Sequence, residues 1–175
     1  HPLMSEYNIA ATPFAHDSLE TWRDPFVGVM HTDAATGLVV SGGVDDIWVD
    51  ADGTLIIVDY KATSKPTRIT ELGDSPWEQQ YKRQLGVYRW LLEQQGFSVQ
   101  KTGYLVYANA DASADTFSDM LHFETTLVPV ETETDWIAPT LGAIKETLEA
   151  DAIPPCGPQC EYCPYREAAG KQLLA

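Results

Sequence analysis

The chain has 175 residues, enough for one domain with a sizeable core, and its 44% hydrophobic content and mean hydropathy of -0.21 suit an ordinary water-soluble fold. No run of about 18 apolar residues occurs, which excludes a helical membrane span, and no signal peptide is visible. The net charge of -15, from 11 basic and 26 acidic residues, argues against a general nucleic-acid surface. Six of the eleven basic residues (Lys61, Lys65, Arg68, Lys82, Arg83 and Arg89) nevertheless fall between positions 61 and 89. The chain opens at His1 without an initiator Met and reads as a fragment of a longer protein.

In chain order, residues 1–25 read as irregular, with a short helix starting at Asp17 or Ser18. "FVGVMHT" reads as a strand. "GLVVSGGVDDIWV" and "TLIIVDYKA" read as two long strands joined at "DADG". A Gly/Pro/Ser-bearing loop covers about 62–75. A helix then begins with Ser75 as cap, Pro76 at the first helical position and Glu78 closing a capping box, and it stops at Gly96. "KTGYLVYAN" and "DMLHFETTLVPV" read as strands, and "DWIAPTLGAIKETLEA" as a helix with Pro139 in its first turn. Strands, helix, strands, helix imply an α/β or α+β sheet core, spanning 1–150. Residues 151–175 form a cysteine-bearing tail of the same domain.

Alternation along "LIIVDYK" puts Leu55, Ile57, Asp59 and Lys61 on one face. A three-residue hairpin loop, Ala51-Asp52-Gly53 with Gly in the left-handed position, pairs Asp50 with Thr54. In that register paired positions sum to 104, so Asp45 faces Asp59. Two facing carboxylates destabilise a sheet unless a cation neutralises them. Mg²⁺ or Mn²⁺, held by Asp45, Asp59 and the Tyr60 carbonyl, fits hard oxygen donors with positions left open. Lys61 sits beside them, placed to orient or help deprotonate a water and to offset phosphate charge. An isolated Asp-x-Lys is more often the polar face of a surface hairpin, but here the charges interrupt an apolar face (Ile47, Val49, Leu55, Ile57). Asp46 falls on the opposite face and ranks below Asp45. On the long helix, Trp77, Tyr81, Gln84, Tyr88 and Leu91 share a stripe. Gln84 and Tyr88, four apart, can converge their polar ends on the same site.

The ordered set Gly42-Gly43-Val44-Asp45, Asp59-Tyr60-Lys61 and Gln84-Leu85-Gly86-Val87-Tyr88 resembles the motifs of PD-(D/E)XK nucleases, in the RecB-like branch that includes CRISPR-associated iron–sulfur exonucleases. The resemblance implies a restriction-endonuclease-like core, a central mixed sheet flanked by helices. It also implies Mg²⁺- or Mn²⁺-dependent cleavage of DNA. Asp45 and Asp59 would hold the metal, Lys61 would serve catalysis, and Gln84 and Tyr88 would contact substrate. That branch carries an upstream His-bearing helix and an N-terminal cluster cysteine. This sequence places neither, which fits a segment preceding His1.

The cysteines Cys156, Cys160 and Cys163 are spaced C-x₃-C-x₂-C, a poor disulfide framework that suits a reducing compartment, the cytoplasm. Three thiolates supply part of a [4Fe–4S] cluster, ahead of a structural zinc, with the fourth ligand to come from elsewhere. The competing reading is a catalytically inactive module that keeps the nuclease fold for binding or assembly, motivated by the acidic charge and the incomplete ligand sets. The expected partner is DNA, with no membrane.

Overall fold

The computed structural model describes residues 2–113, 119–160 and 162–173, so His1 lies outside the described residues. The elements are α1 (Pro2–Glu6), β1 (Ala11–Pro13), α2 (Leu19–Arg23), β2 (Val29–Thr32), β3 (Val39–Gly42), β4 (Asp46–Asp50), β5 (Leu55–Thr63), α3 (Pro76–Gln94), β6 (Thr102–Ala110), β7 (Phe123–Glu131), α4 (Ile137–Glu149) and α5 (Tyr162–Leu173). A five-stranded mixed sheet in the order β1-β4-β5-β6-β7 carries the fold, and β2 with β3 forms a separate two-stranded sheet. The pair β5–β6 is parallel and the other neighbours in the large sheet are antiparallel. Parallel neighbours need a crossover, and α3 supplies it. The expected architecture, a mixed sheet flanked by helices, is the one observed.

Strand alternation divides the core into two layers. Ile47, Leu55, Ile57 and Leu105 pack with Leu85, Tyr88, Leu91 and Leu92 of α3 on one face. Trp48, Ile56, Val58 and Val106 pack with Leu3 and Met4 of α1 on the other. Each fully buried Leu or Ile stabilises the fold by roughly 1.5–3 kcal/mol, so the α3 stripe alone anchors that helix firmly. The start of α3 is built as its sequence requires. Ser75 and Glu78 form the capping box, Pro76 opens the helix, and Gly96 follows its end with φ of +91°.

The hairpin between β4 and β5 has the expected register. Asp46 pairs with Val58, Ile47 with Ile57 and Trp48 with Ile56, each sum being 104. Gly53 takes φ of +82°, the left-handed value that a side chain disfavours, and lets Asp50 N–H reach the Thr54 carbonyl at 3.0 Å.

Three expectations need correction. "GLVVSGGVDDIWV" is not one strand. It breaks after Gly42, and its halves β3 and β4 belong to different sheets. At the break Val44 N–H donates to the Trp22 carbonyl of α2 at 2.9 Å, which draws the chain out of the ladder before Asp45. Residues 1–25 hold α1 and β1 as well as α2, and β1 pairs with β4 as an edge strand. The tail carries a helix, α5, that its sequence does not announce; α5 buries no residue.

Candidate active site

The break before β4 decides how Asp45 is presented. It sits one residue beyond the last ladder pair rather than within it, and its carboxylate Oδ2 accepts a hydrogen bond from Tyr60 N–H at 2.8 Å. The side chain thus replaces the backbone partner that Tyr60 would otherwise have on that edge. An extended residue points its N–H and C=O to the same edge, so the Tyr60 carbonyl is directed to the Asp45 side.

Asp59, on β5, is 1% exposed. Lys61 Nζ stands 2.5 Å from its Oδ2, a largely buried ion pair that is the polar partner of that oxygen. Burial pushes the Asp59 pKa up, Lys61 pulls it down, and the adjacent Asp45 carboxylate raises it again by charge and direct contact. The two acids therefore share one locality on the α3 side of the sheet, although not as an in-ladder pair.

Lys61 is held from three sides. Besides Asp59, its Nζ donates to Gln84 Oε1 at 3.0 Å and lies 4.7 Å from the centre of the Tyr81 ring. Gln84 Nε2 in turn donates to Tyr88 Oη at 2.8 Å. Burial raises the Tyr88 pKa, the Gln84 hydrogen bond pulls it back, and the charges of Asp59 and Asp45 add to the rise. Gly42 makes room for this ring: a Cβ there would fall 2.8 Å from Tyr88 Cε1. The sequence reading brought Asp45, Asp59, Lys61, Gln84 and Tyr88 together, and the structure holds all five in one contiguous set. It missed Tyr81 as a neighbour of Lys61, although Tyr81 lies on the same helical stripe three residues before Gln84.

Asp46 behaves differently, as its parity requires. Its carboxylate accepts from Arg23 Nη2 at 2.5 Å, Trp48 Nε1 at 3.2 Å and Tyr60 Oη at 3.1 Å on the opposite face. Burial and the Asp46 charge push the Tyr60 phenol up to about 12. His16 stacks on Trp22 at 4.7 Å and His31 meets Trp90 edge-on at 5.2 Å, so both serve packing.

The donor set can be tested against a divalent cation. A buried carboxylate, a second carboxylate in contact with it and a carbonyl directed to the same edge are hard oxygen donors, and they fit Mg²⁺ or Mn²⁺. In the tail, Cys156, Cys160 and Cys163 are free thiols whose sulfurs lie within 4.8 Å of one another. The Cys163 N–H holds Cys160 below its ordinary pKa, while the Cys156 and Cys160 sulfurs push Cys163 up to about 11. Three thiolates this close repel one another unless a cation is present. They fit three donors of a thiolate-bound metal or cluster and fall one short of four.

A family model described as the PD-(D/E)XK nuclease superfamily matches residues 3–168. The chain belongs to that superfamily. Its members are typically nucleases that use divalent metals and act on nucleic acid. No curated protein and no solved structure matches the chain. Among the described residues, no helix is long and apolar enough to cross a membrane.

Proposed function

We propose that this PD-(D/E)XK protein is a deoxyribonuclease dependent on Mg²⁺ or Mn²⁺ that hydrolyses phosphodiester bonds exonuclease-like, at strand ends. The observation that carries the reading is the buried Asp59 carboxylate set in contact with a second carboxylate, Asp45, with the Lys61 ammonium 2.5 Å from its Oδ2. A purely structural buried carboxylate gains nothing from a second carboxylate against it, because like charges in contact destabilise the fold.

In this reading Asp45, Asp59 and the Tyr60 carbonyl would hold the metal. When bound, it would supply an activated water and neutralise charge on the phosphate. Asp45 would be steered by Tyr60 N–H, and Asp59 by its burial between the sheet and α3. The Lys61 ammonium would stand next to the attacked phosphorus, where it stabilises developing oxyanion charge and guides the water proton. Gln84 would fix Lys61 through its carbonyl oxygen and pass the orientation on to Tyr88. Both polar ends would be free to shift to a phosphate oxygen once DNA enters.

The cysteine group would be architectural. Cys156, Cys160 and Cys163 would hold three positions of a [4Fe–4S] cluster, with zinc as the alternative, and would clamp the tail to the 1–150 core as one domain. Reduced cysteines suit a cytoplasmic protein.

The test is cleavage of end-labelled single- and double-stranded DNA with Mn²⁺ or Mg²⁺. Shortening from the ends that disappears in Lys61→Ala supports the reading. Activity that survives Lys61→Ala would remove this site from the chemistry. A wild-type chain that neither cuts DNA nor binds Mn²⁺ is the result expected of the inactive module.

A further inference from the structure

The stripe of α3 that carries Gln84 and Tyr88 continues past Tyr81 to Trp77, one turn nearer the helix start. Tyr81 is partly buried under Lys61, but Trp77 is 69% exposed. Among the described residues no hydrogen bond or ring contact engages its indole. The exposure is not that of a frayed end. Ser75, Pro76 and Glu78 fix the first turn, and the Glu78 carboxylate also accepts from Gly73 N–H at 3.0 Å and Ser75 N–H at 3.1 Å. A large apolar ring thus stands in solvent on a capped first turn, in line with Gln84 and Tyr88.

A cation stands near the same turn. Lys65 is exposed; hydrogen bonds from Ser75 and Gly73 are what chiefly hold the Glu78 pKa down, and the Lys65 charge adds to them. Its backbone is clamped by Asn109, which is buried: Lys65 N–H donates to Asn109 Oδ1 at 2.8 Å and Asn109 Nδ2 donates to the Lys65 carbonyl at 3.0 Å. The clamp sets Lys65 on the wall of a cavity of about 610 Å³ beyond the ends of β5 and β6. On that wall Arg68 pairs with Glu124 at 3.4 Å, whereas among the described residues no ion pair engages the Lys65 ammonium.

We propose that Trp77 is a base-stacking residue: an unpaired nucleotide next to the scissile phosphate lays its base on the indole while Lys65 meets an adjoining phosphate. The inference rests on the nuclease reading of Asp45, Asp59 and Lys61, and it deepens that reading by naming the substrate form. A base inside a duplex has both faces covered by its neighbours and cannot stack on a side chain. A single strand or an unpaired end can, and aromatic stacking is tolerant of sequence because every base has a π-face.

The experiment is a titration of tryptophan fluorescence with short oligothymidylate and with a short blunt duplex. It uses the Asp59→Asn chain without divalent metal, so that nothing is cut. Single strands are expected to quench the emission. Adding Trp77→Ala should abolish the quench and weaken single-strand binding about 5- to 150-fold, the range for one stacked base, with duplex binding unchanged. Lys65→Gln should lower the slope of log affinity against log salt by about 0.7 for single strands. Unchanged quench and affinity in Trp77→Ala would overturn the proposal, as would absence of single-strand binding or an equal loss on both substrates. A parallel assay of the wild-type chain with Mn²⁺ separates the two claims. No cutting despite Trp77-dependent binding sinks the nuclease reading alone. Cutting of single strands with an unchanged KM in Trp77→Ala sinks the stacking alone.

Discussion

Asp45 and Asp46 are neighbours in the chain and opposites in the structure. Asp46, on the α1 side of the sheet, has its charge answered by Arg23, Trp48 Nε1 and Tyr60 Oη. On the α3 side, Asp45 adjoins the buried Asp59, and Lys61 Nζ lies 2.5 Å from Asp59 Oδ2. One aspartate completes a hydrogen-bonded network that ties α2 to β4, and the other crowds a second acid, so that two carboxylates meet the ammonium of Lys61. Proteins tolerate such strain where function requires it. The difference between the two faces therefore separates the acid tied into a structural network from the acids proposed to act.

The largest effect expected from this contrast is on catalysis. Lys61→Ala should lower Mn²⁺-dependent DNA cleavage by about 10²–10³-fold, the usual loss on removing one preorganised charge, whereas Asp46→Asn should leave the rate within a few-fold. A gel assay of both variants side by side checks this, and a comparable loss in Asp46→Asn would erase the distinction. Next in size is stabilisation by the ion. At about a hundred times its dissociation constant, Mn²⁺ should stabilise the wild-type chain by about 2.7 kcal/mol, and Asp59→Asn should lose that gain in thermal melts.

On the other face, Asp46→Asn should cost about 1–2 kcal/mol by denaturant melt, since it weakens charge-assisted bonds to Arg23, Trp48 and Tyr60. Asp59→Asn should have the reverse sign in metal-free buffer, a gain of roughly 0.5–2 kcal/mol, as functional sites commonly give up stability. Its pH dependence follows from the raised pKa. The folded state binds the Asp59 proton more tightly than the unfolded chain does, so this contribution is fully present below the ordinary value of 3.8 and is lost as pH rises through the folded pKa. Metal-free wild-type protein should thus fall in stability relative to Asp59→Asn as pH climbs from 3.8 towards neutrality. A constant difference across that range would contradict the assigned burial. The smallest effect is at Tyr88→Phe, which removes one hydroxyl from the Gln84 relay and should slow cleavage by no more than about tenfold.

Much of this contrast was readable from sequence, because a strand's two-residue period and one glycine turn fix register. Gly53 set the hairpin, and the sum of 104 placed Asp45 and Asp59 together and Asp46 on the other side. The break at Gly43 was not readable. Valine-rich flanks look like continuous strand, and the Val44 bond to the Trp22 carbonyl is a tertiary contact with no local signature. The parallel pairing of β5 and β6 likewise depends on how α3 returns across the sheet. The indole of Trp77 shares its stripe with buried residues, so helical periodicity alone assigns it to the core, yet it stands 69% exposed in the first turn of the helix. The three cysteines were legible as a group by spacing, and their sulfurs do converge.

The most direct test is Mn²⁺ binding by isothermal titration to the wild-type, Asp59→Asn and Asp46→Asn chains. A site present in the wild type, retained in Asp46→Asn and lost in Asp59→Asn is the predicted result. Equal Mn²⁺ binding by all three chains would contradict a metal centre on the α3 face.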